Sequence, residues 1–315
     1  MKLTRAQFLK ALPAAVLALA GCTAAPTAPA DTDELVFDHA YPLDYATQFT
    51  ADCYADGSTL LTIPDAQAKF LVRPEGAATL RTVPEGVTVL QQPLQNLYLV
   101  STSVMDLFLA LDALDCIALS GTRAEGWYLD EARQAMLDGR IAYAGKYSAP
   151  DYEQILAANC GLAIENTMIY HTPEVKEQLE RFGIPVLVER SSYESGPLAR
   201  MIEMAGADYV FADLTDNGNS LSTMNLPLED FYAGARDADF LIYNSTIEGV
   251  VSTTDELVAK CSLLADFKAV QNGHVWCVAQ SFFQQSMELA DFILELHRLF
   301  TEDAPDGLQY FIHVE

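Results

Sequence analysis

Short apolar runs and amphipathic stretches alternate along most of this chain. Leu60-Leu61-Thr62-Ile63 and Phe70-Leu71-Val72 read as strands, with breaks at Gly57, Pro64 and Pro74. Val87 to Leu90 and Leu97 to Val100 are stronger strand patterns. Ser101-Thr102-Ser103 supplies a cap for a helical run from Val104 to Asp112. Cys116 to Leu119 is a buried strand that ends at Ser120-Gly121-Thr122. A loop with Trp127 and Tyr128 leads into a helix over Leu129 to Leu137, and Ile141-Ala142-Tyr143 closes on Gly145-Lys146-Tyr147. Strand and helix in alternation predict an α/β fold with a parallel sheet.

The best-formed stretch is Pro150 to Ser195. It predicts helix (Asp151 to Ala158), strand (Leu162 to Glu165), helix (Pro173 to Phe182, closed by Gly183) and strand (Pro185 to Glu189). Its loops carry Asn166, Tyr170, His171 and Tyr193 and fall at the carboxyl ends of strands, where open α/β sheets bind ligands. A weaker copy follows. Glu153-Gln154-Ile155-Leu156-Ala157 resembles Glu229-Asp230-Phe231-Tyr232-Ala233, and Ala163 to Thr167 resembles Leu241 to Thr246. Between the copies lie a short helix ended by Gly206, a strand at Tyr209-Val210-Phe211 and a polar loop, Thr215 to Thr223. After the second copy come a helix opening at Thr253, a strand at Val275 to Val278 and an amphipathic helix over Ser286 to Phe300. Two similar α/β units predict two lobes.

The N-terminus changes the picture. Lys2, Arg5 and Lys10 precede an apolar run, Ala11 to Ala20, too short to span a bilayer. Leu19-Ala20-Gly21-Cys22 resembles a bacterial lipobox. That resemblance implies a signal peptide over 1–21, lipidation of Cys22, and an extracytoplasmic protein anchored to the cell membrane. Residues 23–36 are small, Pro-rich and acidic, as a flexible tether should be.

The 315 residues carry 44 acidic and 18 basic side chains, a formal charge of −26. A surface so acidic repels nucleic acid, so that class of partner is excluded. Beyond Cys22 the cysteines are Cys53, Cys116, Cys160, Cys261 and Cys277, an odd number with no CxxC pair. Free thiols fit better than a disulfide framework or a zinc site, and no resident metal or cofactor is expected. No GxSxG, HExxH, P-loop or GxGxxG occurs, which argues against an enzyme.

Ala149 to Leu156, Leu162 to Glu165 and Gly183 to Val188 resemble the first lobe of class III substrate-binding proteins. These serve importers of ferric siderophores, haem and vitamin B12. Phe267 to Trp276 with the final helix resembles their second lobe. The resemblance implies two Rossmann-like lobes, over 37–195 and 207–315, joined by a bridging helix, here 196–206. It implies a monomer that captures a metal chelate and delivers it to an ABC permease and its ATPase. Glu153 and Glu229 match the glutamates by which the family docks on permease arginines. Loops at strand ends nominate ligand contacts: Trp127, Tyr128, Lys146, Tyr147, Tyr170, His171 and Tyr193 from the first lobe. Asn244, Trp276, Phe282 and Phe283 come from the second. Spanning both lobes with ~30 Å of helix takes about 20 residues. The bridging segment is shorter than that, so a truncated second lobe with few strands is expected. Three alternatives to this reading are a direct metal-ion binder using His171 and His274 with Glu165 or Glu189, an α/β enzyme, and a structural surface lipoprotein.

Overall fold

The computed structural model describes residues 35–44, 46–64, 66–189, 195–214, 226–303 and 305–315. The chain divides into two compact units, 1–89 and 90–315. Cys22 and Tyr193 lie outside the described residues.

The N-terminal unit is built on an antiparallel meander. β1 (Phe37–Ala40), β2 (Thr50–Tyr54), β3 (Thr59–Ile63) and β4 (Ala68–Arg73) pair in chain order, with β5 (Val87–Gln91) beside β4. The β2–β3 turn holds Gly57 at φ +82, and the Asp56 carboxylate accepts from the Ser58 amide at 2.9 Å. Glycine takes the positive φ without steric cost, and the short Asp56 side chain bonds the backbone two residues on, as in an Asx turn.

The second unit opens with the predicted alternation. β6 (Leu97–Leu99), α1 (Thr102–Ala110), β7 (Ile117–Ser120), α2 (Asp130–Leu137) and β8 (Ala142–Tyr143) come first. A small hairpin of β9 (Gly145–Lys146) and β10 (Ala149–Pro150) interrupts the pattern. Then come α3 (Tyr152–Ala157), β11 (Ala163–Asn166), α4 (Pro173–Arg181) and β12 (Val186–Glu189). Strands β6, β7, β8, β11 and β12 form one parallel sheet in the order β12-β11-β6-β7-β8. The order reverses between β6 and β11, which puts a switch point at the centre of the sheet. One face buries Tyr98, Val100, Ala163 and Val186 with Ile155 of α3 and Val175 and Leu179 of α4. Apolar residues two apart on strands and four apart on α4 make this face, as the periodicities require.

The second lobe follows α5 (Ser195–Met204), a helix of about 15 Å by its length. It holds α6 (Leu228–Ala235), β13 (Leu241–Tyr243), α7 (Ser245–Glu248), α8 (Thr254–Lys260), α9 (Lys268–Gln271), β14 (Val275–Val278), α10 (Leu289–Thr301) and β15 (Phe311–His313). Among the described residues its sheet has three strands. β13 is parallel to β14, and β15 is antiparallel to β14. Met201, Ile202 and Ala205 of the α5 segment pack with Phe292, Leu296 and Leu299 of α10.

One predicted strand is absent. Tyr209-Val210-Phe211 forms a turn instead. Its aromatics are drawn into side-chain packing: Phe211 stacks on Phe231 of α6 at 5.9 Å, and its ring fills the space that a Cβ on Gly234 would enter. No helix among the described residues is long and apolar enough to cross a membrane.

Candidate functional site

The carboxyl ends of β6, β7, β8 and β11 carry most of the polar and aromatic residues singled out from the sequence. Each is held by an identifiable local device. Ser120 closes β7 and is fully buried. Its hydroxyl accepts from the Thr122 amide at 3.0 Å and from Trp127 Nε1 at 3.2 Å, and donates to the Thr122 carbonyl at 2.7 Å. One side chain thus fixes the whole loop 120–127. Trp127 is a core residue of that loop, only 1% exposed, while the Tyr128 ring is exposed.

Arg123 stands on the same loop. Its guanidinium lies 4.0 Å from the centroid of Tyr143, the last residue of β8. The β9–β10 hairpin begins two residues later. The Tyr98 hydroxyl donates to the Gly145 carbonyl at 2.7 Å and ties the hairpin to β6. Gly145 has φ +86, and a Cβ there would collide with the Ala149 carbonyl and lie 2.7 Å from Pro150 Cα. Only glycine makes this turn. Lys146 is exposed on the hairpin, and Tyr147 packs half-buried against the first-lobe core. Tyr170 and His171 are exposed at the end of a 3-10 turn after β11.

The two copies of the repeat end alike. Asn166 Oδ1 accepts from the Met168 amide, and Asn244 Oδ1 accepts from the Thr246 amide, both at 3.0 Å. Asn244 is therefore a helix cap for α7 in this structure. At the start of α1, Ser101 and Ser103 donate to Glu189 Oε2 at 2.7 and 3.1 Å. The carboxylate sits where the helix dipole favours negative charge.

A strap from the second lobe, Gln280 to Met287, meets this edge directly. Gln284 is buried and donates to the Gly126 carbonyl at 2.7 Å while accepting from the Tyr128 amide at 2.8 Å. Tyr128 donates its hydroxyl to Gln280 Oε1 at 2.6 Å. Ser286 donates to the Ser103 carbonyl at 2.7 Å, and Asp106 accepts from the Met287 amide at 2.8 Å. Phe282 is buried, stacked 4.1 Å from Phe292, with Phe283 half-buried at 4.9 Å. Trp276 lies in the second-lobe core with its ring 4.8 Å from His313.

The structure brings Tyr128 against Gln280 and Gln284 of the strap, leaves Lys146 exposed and Tyr147 half-buried at the β9–β10 hairpin, and packs Trp127, Trp276 and Phe282 away from solvent. His274 stacks on Phe240 at 5.1 Å and is not joined to His171 by any described contact. Among the described residues no group of three or more His, Cys, Asp or Glu side chains is placed to hold a metal ion. Cys53, Cys116, Cys160, Cys261 and Cys277 are free thiols. Glu153 and Glu229 are each exposed in the first turn of their helices, α3 and α6. Sequence reading missed Arg123, Tyr143, Ser120 and Gln284. The signal for Arg123 was a lone cation directly after a strand in a strongly acidic chain.

Glu165 is the electrostatic outlier. It is fully buried on β11, and neither carboxyl oxygen has a hydrogen-bond partner. Burial pushes its pKa up to about 8. Tyr98 is likewise raised, mainly by burial and then by the Glu165 charge.

No protein-family model matches the chain, and no curated protein does. Solved structures do resemble it. A periplasmic heme binding protein from Pseudomonas aeruginosa aligns over 69% of this chain and 95% of its own, at 15% identity and TM-score 0.50. A petrobactin-binding protein from Bacillus subtilis aligns over 66% and 93%, at 13% identity and TM-score 0.46. The periplasmic heme-binding protein RhuT from Roseiflexus sp. RS-1 aligns over 65% and 98%, at 14% and 0.45. The first of these likenesses, with the parallel sheet and its switch point, defines the architecture. The fold is the α/β fold of class III periplasmic binding proteins.

Proposed function

We propose that this chain is an extracytoplasmic solute-binding protein that captures a metal chelate (a ferric siderophore, haem or a corrinoid) and passes it to an ABC permease. The supporting observation is the combination of fold and edge. A class III sheet presents a fixed aromatic and polar rim at its switch-point end, against a strap from the second lobe. Ligands of open α/β sheets bind at that end. Rigid loops lower the ordering cost of binding, so the Ser120 and Gly145 devices suit a receptor more than a flexible linker. In this reading Glu153 and Glu229, both exposed, are the docking carboxylates, and a lipid on Cys22 holds the protein at the membrane. No catalytic role is assigned to any residue.

The test is a titration of purified protein with haemin, a ferric tris-catecholate, a ferric tris-hydroxamate and cobalamin, followed by tryptophan fluorescence. Trp127 and Trp276 are buried, so a coloured chelate quenches them by energy transfer rather than by contact. Saturable quenching by at least one chelate, at micromolar concentration or below, is expected. Failure of all four, with the protein shown to be folded, contradicts the proposal.

A further inference from the structure

Glu165 is the only buried acid among the described residues, and neither of its oxygens has a hydrogen-bond partner. It shares a face of β11 with Ala163, two residues earlier, and α3 and α4 cover that face. In the parallel register Ala163 lies opposite Tyr98 of β6, so Tyr98 is the diagonal neighbour of Glu165 on the same face. Strands about 4.8 Å apart, with a rise of about 3.3 Å per residue, put the two Cα atoms about 8 Å apart, a gap that two long side chains bridge. The groups around this pair are mostly uncharged: Tyr143 of β8, Tyr152 of α3 and the Cys160 thiol, with Tyr147 half-buried in the same core. Glu153 of α3 and Tyr170 and His171 of the turn after β11 are exposed. From α4, Glu174 acts on Tyr152, while Lys176, Glu177, Glu180 and Arg181 pair with one another.

Tyr98 already has a task. It is fully buried, and its hydroxyl ties the β9–β10 hairpin to β6 through the Gly145 carbonyl. The Asp151 amide closes the far side of the hairpin on the Ala144 carbonyl at 2.8 Å. A phenol has one proton to donate. While Glu165 is neutral, the Gly145 carbonyl receives it. A Glu165 carboxylate in the same core is a stronger acceptor, since hydrogen bonds to ionised groups are roughly twice as strong as neutral ones. Such a carboxylate also has more to gain, because a buried charge without a partner is costly.

We propose that Glu165 and Tyr98 form a proton-linked switch on the β9–β10 hairpin. With Glu165 protonated, Tyr98 holds the hairpin to the sheet. When Glu165 gives its proton to solvent, the Tyr98 O–H turns from the Gly145 carbonyl to the new carboxylate, and the hairpin is released with Lys146 and Tyr147. Tyr98 keeps its own proton throughout, because burial and the Glu165 charge both raise its pKa. Burial holds the proton on Glu165 up to about pH 8, so the hairpin is fixed below that value and loosens above it. The consequence for binding rests on the solute-binding reading above: the rim is formed in neutral and acid medium and comes apart in alkaline medium.

The experiment is pulsed hydrogen exchange of the full mature chain at pH 6 and pH 9, corrected for the intrinsic rate, in wild type, Glu165→Gln and Tyr98→Phe. Protection of the Asp151 amide should fall about tenfold between the two pH values in wild type, the worth of one hydrogen bond. Amides of β14 in the second lobe should keep theirs. In Glu165→Gln the Asp151 amide should stay protected at both pH values, and in Tyr98→Phe it should be poorly protected at both. No fall in wild type, or an equal fall in Glu165→Gln, overturns the switch. Infrared spectra give a second reading that does not depend on Tyr98→Phe folding. A protonated-carboxyl band should be present in wild type at pH 6, lost by pH 9 and missing from Glu165→Gln; its absence from wild type at pH 6 also overturns the switch. Haemin affinity, measured alongside, should drop severalfold from pH 6 to pH 9 in wild type and less in Glu165→Gln, and equal drops in the two overturn the link to the ligand. Failure of haemin and every other chelate to bind, with the exchange result intact, removes the solute-binding reading and leaves the switch standing.

Discussion

Glu165 shows what one side chain costs when its partner is missing. A carboxyl in the core of a β-sheet, with both oxygens unpaired, is tolerated because it stays protonated. Its pKa in the folded chain is about 8, against about 4.3 for an unfolded glutamate. The folded state therefore binds the proton more tightly. The stability tied to that proton is fully present below the unfolded value and is lost as pH rises through about 8. Glu165→Gln keeps the shape and cannot ionise. It should melt several degrees above wild type at pH 9, and the gap should close toward pH 5. A gap that is the same at both pH values would show that Glu165 does not titrate in this range. The sequence shows Glu165 as an acid at the end of a repeated strand and as a carboxylate open to a metal-ion reading, and gives no sign that it is buried without a partner. Its burial depends on α3 and α4 covering the sheet, which no local pattern reveals. The repeat itself was legible: Asn166 and Asn244 carry the same capping bond in both copies. Arg123 was not, because its stacking partner Tyr143 lies on a neighbouring strand and not in its own loop.

Among the elements, the strap from Gln280 to Met287 has the clearest mechanical role. It bonds to α1 and to the loop beyond β7, and Gln284 satisfies two backbone groups at once. Gln284→Ala would leave the Gly126 carbonyl and the Tyr128 amide without these partners. A buried group left unpaired costs about 1–3 kcal/mol. The variant should lose about 2 kcal/mol in denaturant unfolding, and the Tyr128 amide should exchange hydrogen faster. Unchanged stability and exchange would mean that the strap does not hold the two lobes. Periodicity found nearly all of the helices and parallel strands here, because their apolar faces recur within a dozen residues. It missed β9, β10 and β15, which are two or three residues long and exist only through pairing. It misread Tyr209 to Phe211, where aromatic packing against α6 outcompetes strand formation.

For the whole molecule, charge and fold act together. The second unit supplies a rim at one end of a parallel sheet, and the rest of the chain supplies a field that repels anions. The lysines give an internal comparison. Lys146 sits on the rim, while Lys69 is exposed on β4 of the N-terminal unit. The most direct test is acetylation of the folded protein with limiting reagent, read by mass spectrometry with and without saturating haemin. Lys146 should be protected severalfold while Lys69 reacts at the same rate in both states. Equal labelling of Lys146 with haemin bound would place the ligand elsewhere and contradict the site.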